Sequence, residues 1–125
     1  MNLMTQIDRL KARLCGLAGC SYDDIRVVRA PLRISPLGAH VDHQDGLVTG
    51  MTLDRAIFLA FVPREDRRVV VESLNFPGRV DFALDEIPPK VTRDWGNYAR
   101  GAAMALTEAY DLSQGITAVV VGAMP

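Results

Sequence analysis

Apolar residues near the N-terminus recur at spacings of three and four, which places them on one stripe of a helix. Gly16 and Gly19 stand where such a helix would stop. The pattern therefore predicts an N-terminal amphipathic helix. Its stripe consists of Leu3, Ile7, Leu10, Leu14 and Leu17.

Five later segments have the patterns of strands. Residues 78–84 alternate between apolar and polar positions, as a half-buried strand does. Pro31 ends the pairing of the first strand or confines that strand to a sheet edge. Residues 63–67 resemble a hairpin connection, which predicts that segment 56–62 pairs with Val69–Val71. The five segments are 25–30, 56–62, 69–71, 78–84 and 116–121.

A second helix is predicted from Trp95 to Tyr110, with Asp94 as its N-cap. The order of helix, strands, helix and strand predicts an α+β fold with helices packed on a mixed β-sheet. The chain stops at Met124-Pro125, directly after a buried type of strand, and we expect that strand to need a covering element. The packing face of the second helix is predicted to consist of Ala99, Ala102, Ala103, Leu106 and Ala109.

Composition narrows the class of protein. The 125 residues are 49% hydrophobic and 23% charged with a net charge of −1, which fits one domain or a piece of one. There is no basic surplus for nucleic acid, and no apolar run approaches the ~20 residues that span a bilayer. Cys15 and Cys20 are too few for a secreted disulfide scaffold. We therefore expect a cytoplasmic protein with neither nucleic acid nor a membrane as its partner.

The polar, glycine-rich stretch from Arg33 to Gly50 interrupts the regular periodicity. Asp42 can accept hydrogen bonds from hydroxyls, His40 can donate or accept them, and Arg33 offers a fixed fork for anionic oxygens. Two other interpretations stay open. His40-x-Asp42-His43 is half of a pattern used by dinuclear metal hydrolases, and the aspartates could simply satisfy the backbone amides of a turn at Asp45-Gly46.

This stretch resembles the sugar-binding signature of the galactokinase family in the GHMP kinase superfamily. A second segment, from Trp95 to Gly101, is similar to the family pattern Trp-x-Asn-Tyr-x-x-Gly at the start of a helix. Both motifs occur in the family order, and the resemblance extends from about Ile25 to Pro125. The first motif keeps Arg29, Ala30, Pro31, Arg33, Gly38, His40, Asp42 and Gly46.

The resemblance implies an ATP-dependent sugar 1-kinase, whose partners are a small sugar and ATP. By carry-over, His40 and Asp42 bind ring hydroxyls, and Arg33 is the catalytic residue that stabilises charge on the anomeric oxygen. Trp95 and Ser73 are implied to lie near the adenine of ATP, and a place in the hydrophobic core is the alternative for Trp95. Mg²⁺ is expected with ATP, with its ligands outside this chain.

Ala39 departs from the family pattern, because galactokinases carry a glutamate there that binds the sugar's 6-hydroxyl. A glutamate would repel a sugar whose C6 is a carboxylate, by roughly 1–4 kcal/mol at ~4 Å. The stretch around Ala39 is most like that of galacturonokinases, which phosphorylate galacturonate at C1. The resemblance therefore implies a substrate pocket that includes Ala39, with His43 or Arg55 as the partner of the uronate carboxylate.

The resemblance also implies that residues 1–125 are an incomplete GHMP N-terminal domain. The family's phosphate-binding loop would begin directly after Pro125, and the C-terminal domain and the catalytic aspartate lie further on. We therefore expect the chain alone to have no kinase turnover. A non-catalytic sugar-binding or regulatory module derived from the same fold is the alternative.

Overall fold

The computed structural model describes residues 2–122, which form a five-stranded mixed sheet in the order β1-β2-β5-β3-β4. The α+β prediction is therefore confirmed. Met124 and Pro125 lie outside the described residues. The helices are α1 (Leu3–Ala18) and α2 (Asn97–Ala109), and the strands are β1 (Arg26–Ile34), β2 (Met51–Arg64), β3 (Arg68–Ser73), β4 (Arg79–Ala83) and β5 (Gly115–Gly122).

One helix packs on each face of the sheet. Leu10 and Leu14 of α1 are 0% exposed and pack with Val119, whereas Ala103 of α2 packs with Ala118. Since neighbouring residues of a strand point to opposite faces, the two helices lie on opposite sides of β5. None of the helices in residues 2–122 has the length and apolar content that crossing a bilayer requires.

The predicted first helix is confirmed as α1. The Asn2 side chain accepts a hydrogen bond from the Thr5 N–H at 3.1 Å and so caps its start. Gly19 ends it in the left-handed region at φ 66°, donating its N–H to the Cys15 carbonyl oxygen. Burial of Leu10 and Leu14 contributes about 1.5–3 kcal/mol each.

The predicted pairing between the segment 56–62 and Val69–Val71 is wrong. β5 lies between β2 and β3, antiparallel to β2 and parallel to β3. The reason is burial: Ala118 and Val119, which point to opposite faces of β5, are both 0% exposed. A strand that is apolar on both faces is most stable in the middle of the sheet, so it displaces the partner that is nearer in sequence.

Pro31 lies within β1, which is an edge strand, the place in a sheet where a proline is tolerated. The β1–β2 register shifts between Pro31 and Arg33: Pro31 pairs with Ala56, whereas Arg33 pairs with Thr52. Such irregularities bend a strand and redirect its side chains. Arg33 therefore follows directly after a distortion of the edge strand.

The start of the second helix differs from the prediction. α2 begins at Asn97, and Gly96 is its N-cap without a side-chain hydrogen bond. Asp94 instead accepts a hydrogen bond from the Gly96 N–H at 3.1 Å, so it caps the turn that precedes the helix. Packing uses Ala99 and Ala103 only. The predicted face is wrong in its other members, because Ala102, Leu106 and Ala109 are exposed.

Part of the sheet lies beyond the reach of α2. On the α2 side, Val28 of β1 is 50% exposed and Ile57 of β2 is 41% exposed. The register pairs Val28 with Leu59 and Ala30 with Ile57, so these four residues lie together on one face. The β1–β2 half of this face is therefore an apolar surface in contact with water.

Asp66, in the turn between β2 and β3, makes the free energy of unfolding depend on pH in the acid range. Its carboxylate accepts hydrogen bonds from the Arg64 guanidinium at 2.6 and 2.9 Å, which lowers the pKa of Asp66 to about 2. A depressed folded-state pKa stabilises the fold above the unfolded value, and that stabilisation is lost as the pH falls towards 2. We expect Asp66→Asn to flatten the pH dependence of urea unfolding between about pH 4 and pH 2. Exposed Asp111→Asn is the control, and equal slopes in the two variants would contradict this assignment.

Candidate functional site

The strand directions bring two loops to one edge of the sheet. β1, β5 and β3 run in the same direction, so their carboxyl ends lie at the same edge. The β1–β2 loop (residues 35–50) and the β3–β4 loop (residues 74–78) both start there. β2 and β5 separate β1 from β3, and β2 lies about 10 Å from β3. The end of β5 therefore lies between the two loops.

Hydrogen bonds join the two ends of the β1–β2 loop. The Ser35 hydroxyl donates to the Thr49 carbonyl oxygen at 2.7 Å. The Thr49 N–H donates to the Leu37 carbonyl oxygen at 2.9 Å, and the Leu37 N–H donates to the Thr49 hydroxyl oxygen at 3.0 Å. A loop with joined ends is a compact surface element of the Ω type. These hydrogen bonds therefore hold together the two ends of the segment that lies between Leu37 and Thr49.

Glycine is required at position 38 of this loop. Gly38 has φ 83°, and an added Cβ would overlap the backbone carbonyl oxygen of Leu47. The chain then forms a short 3₁₀ turn, Asp42–Gln44, which ends at Asp45 in the left-handed region with φ 57°. The predicted turn at Asp45-Gly46 is confirmed. The two halves of the loop consequently lie against each other.

The loop presents the predicted sugar-binding residues to solvent. Ala39 and His40 lie in a turn, and Asp42 and His43 lie in the 3₁₀ turn that follows. The Asp42 carboxylate lies 3.9 Å from His43 Nδ1, with the two side chains 76% and 67% exposed. Arg33 is exposed one residue before the end of β1, at the base of the loop. The structure thus exposes these residues on one loop and at its base, and Asp42 and His43 lie near each other.

Arg55 lies on β2 within the stretch that the register shift leaves unmatched to β1, three residues after Thr52, the partner of Arg33. It is exposed, as is His43. The two predicted carboxylate partners therefore come from different elements, one from the strand and one from the loop.

Ser73 and Trp95 both hold the β3–β4 loop. The Ser73 hydroxyl oxygen accepts hydrogen bonds from the Asn75 N–H at 3.1 Å and the Phe76 N–H at 3.2 Å. The Trp95 indole N–H donates to the Pro77 carbonyl oxygen at 3.0 Å, and its ring packs against the core on the α2 side. Ser73 and Trp95 thus contact the same loop, which lies on the other side of β5 from the β1–β2 loop.

Asn75 was not predicted from the sequence. Its side chain accepts a hydrogen bond from the Gly122 N–H at 2.7 Å and donates one to the Gly122 carbonyl oxygen at 3.4 Å. The amide thus continues the sheet where β3 has ended and satisfies backbone groups of β5. An asparagine directly after an apolar strand is the only sequence signal for this contact.

A second unpredicted feature is a carboxylate held by two arginines next to Ser73. Glu72 accepts hydrogen bonds from Arg13 of α1 at 2.7 Å and from Arg79 of β4 at 2.7 Å. The Arg13 hydrogen bond is the main cause of a lowered pKa for Glu72, and burial opposes it. The cluster ties α1 to the sheet beside the β3–β4 loop.

The metal interpretation requires several ligating side chains that lie close together. Within residues 2–122, no three His, Cys, Asp or Glu side chains form a group that could hold a metal ion. His40, Asp42 and His43 are neighbours along the chain without forming such a group.

Comparison with known proteins places the β1–β2 loop in a family. Residues 18–63 match the model of the galactokinase galactose-binding signature. A galacturonokinase from Arabidopsis thaliana is 38% identical over 94% of this chain and 32% of its own length. A galactokinase from Chloroflexus aggregans is 46% identical over 65% of this chain and 21% of its own length.

A solved structure extends the similarity to the whole fold. Lactococcus lactis galactokinase, crystallised with galactose, superposes with a TM-score of 0.83 and 28% identity over 95% of this chain and 31% of its own. The chain thus spans about a third of the length of these relatives at most. The resemblance noted in the sequence is confirmed: in sequence and fold, the chain is similar to the N-terminal part of the galactokinase family.

Proposed function

We propose that the chain forms the sugar-binding part of an ATP-dependent sugar 1-kinase, which transfers the γ-phosphate of ATP to the anomeric hydroxyl of galacturonate or galactose. The observation that carries the proposal is the closed β1–β2 loop, which lies within the family's galactose-binding signature and exposes His40, Asp42 and His43 together. Its base adjoins Arg33 on β1, so imidazole, carboxylate and guanidinium groups are available on adjoining segments of the chain.

In this proposal, each side chain has a role that fits its chemistry. The Asp42 carboxylate accepts hydrogen bonds from ring hydroxyls, and His40 donates or accepts one. Arg33 stabilises the negative charge that develops on the anomeric oxygen as it attacks phosphorus. The distortion of β1 between Pro31 and Arg33 supports this role, since such irregularities re-aim side chains next to active sites.

ATP is proposed to bind on the other side of β5, beside the β3–β4 loop held by Ser73 and Trp95. The phosphate-binding loop, the general base and the Mg²⁺ ligands are proposed to come from polypeptide outside these 125 residues. The short coverage of the relatives supports this division. Phosphoryl transfer depends on positioning and on neutralising the phosphates, so the chain alone is expected to have no turnover.

Ala39 is proposed to select an acid sugar. In a full-length enzyme that contains this chain, Ala39→Glu is expected to lower kcat/KM for galacturonate roughly 5- to 900-fold, because 1–4 kcal/mol of like-charge repulsion opposes binding. The measurement is the ratio of kcat/KM for galacturonate and galactose, with sugar 1-phosphate followed by phosphorus NMR.

Ala39→Gln is the matched control, because it adds similar volume without charge and should lose far less activity on galacturonate. A clear preference of the wild-type enzyme for galactose would end the uronate proposal while leaving the kinase proposal intact. Sugar binding without ATP-dependent phosphorylation by the full-length protein would instead favour the non-catalytic module.

A further inference from the structure

The sequence contains two cysteines, and the fold brings them together at the end of α1. Cys15 lies in the last turn of the helix, and Cys20 follows the residue that ends it. Their sulfur atoms are 3.8 Å apart, and both thiols are free and partly buried. Five positions of sequence separation would not by themselves produce this contact, since residues five apart do not face each other along a helix.

Gly19 accounts for the proximity of the two thiols. Its left-handed conformation, φ 66°, reverses the chain, and its N–H donates to the Cys15 carbonyl oxygen at 2.9 Å. The next residue, Cys20, is thereby directed back along the helix and packs against the core that α1 covers. The backbone is therefore already folded for a short cross-link.

We propose that Cys15 and Cys20 form a reversible disulfide that closes the C-terminal end of α1, making this pair a modification site for thiol oxidants such as glutathione disulfide. A disulfide requires a sulfur–sulfur distance of about 2.05 Å, so the two atoms must approach by roughly 1.7 Å. Rotation of two side chains can cover such a gap without moving the core.

The reaction balances with one molecule of glutathione disulfide. One cysteine thiolate attacks a glutathione sulfur, which forms a mixed disulfide and releases one glutathione thiolate. The second cysteine thiolate attacks the protein sulfur of the mixed disulfide, which forms the internal bond and releases the second glutathione. The two cysteines are oxidised, the oxidant is reduced, and the two cysteine protons pass to the two glutathione thiolates.

The surroundings favour the dithiol as the resting form. Burial is the main cause of a raised pKa for the Cys15 thiol, and its contact with Cys20 adds to the effect. A raised pKa lowers the thiolate fraction of Cys15 and so slows its reaction with oxidants. In the oxidised form, the cross-link would tie the helix end to the segment that leads into β1.

The test exposes the whole chain to buffers with increasing ratios of oxidised to reduced glutathione. The wild-type chain should lose both thiols together, with a mass decrease of two hydrogen atoms and no attached glutathione. Cys15→Ser and Cys20→Ser should each retain one cysteine, and that cysteine should gain a single glutathione instead. Intact mass and thiol titration under denaturing conditions report these species.

Two glycine variants test the role of the turn. Gly19→Ala places a side chain in the left-handed region and should require roughly 5- to 30-fold more glutathione disulfide for half oxidation. Gly16→Ala is the matched control, because Gly16 lies within the helix with open space around it. Independent glutathione adducts on the two wild-type cysteines, disulfide-linked dimers, or an equal response of the two glycine variants would overturn the proposal.

Discussion

Gly115→Ala is expected to destabilise the chain by about 3 kcal/mol or more, a large share of the 5–15 kcal/mol that holds a typical domain together. Gly115 begins the central strand β5 and pairs with Arg64. A Cβ at this position would overlap the backbone of Arg68, which cannot rotate away as the end of a side chain could. The strand would have to shift in the middle of the sheet. Urea unfolding followed by circular dichroism measures the loss.

Gly101→Ala provides the comparison for this variant. Gly101 is exposed within α2, and an added Cβ would meet nothing within 4 Å. Alanine is a better helix former there, so stability should rise by about 0.5–1 kcal/mol. Equal free energies of unfolding for the two variants would contradict the close approach of β5 to β3.

Arg33→Ala is expected to lower kcat/KM of the full-length kinase by about 10²- to 10³-fold. The guanidinium is proposed to stabilise charge on the attacking oxygen, and nothing in the methyl group of alanine replaces it. The loss should fall mainly on kcat, because the interaction strengthens as the transition state forms. Steady-state kinetics with saturating ATP measure the effect.

Arg26→Ala separates this role from a general effect of charge. Arg26 is an exposed arginine at the opposite end of the same strand, roughly 23 Å from Arg33 along an extended chain. Its removal should leave both kinetic constants close to those of the wild type. Similar activities for the two variants would remove Arg33 from the proposed mechanism.

Local periodicity was enough to predict the elements that can be identified without knowing which strand or helix they pack against. The stripe around Leu10 and Leu14 gave α1, and the alternation through Val80 and Phe82 gave β4. The pairing of β2 was mispredicted because hairpins are the shortest connection. β5, some fifty residues later, instead pairs with β2 along one edge and with β3 along the other. Order within a sheet depends on burial in the complete fold, which local patterns do not contain.

For the candidate site, the sequence located the loop and its residue types. It could not predict that Thr49 joins the loop to Leu37, or that Asn75 binds the end of β5, because these contacts connect distant segments. The predicted start of the second helix, Trp95, is two residues too early for a related reason. The Asn97 side chain bonds both backbone groups of Val91, so a tertiary contact and not the local Asp94 cap defines the entry to α2.

The half of the sheet that α2 leaves uncovered has a practical consequence for work on the isolated chain. Val28 and Ile57 expose apolar side chains on paired strands of the folded sheet. Dyes such as ANS fluoresce on such surfaces, and their binding is usually interpreted as a sign of loosened packing. For this chain, we expect dye fluorescence from the native state as well, so near-ultraviolet circular dichroism of Trp95 is the better indicator of intact tertiary structure.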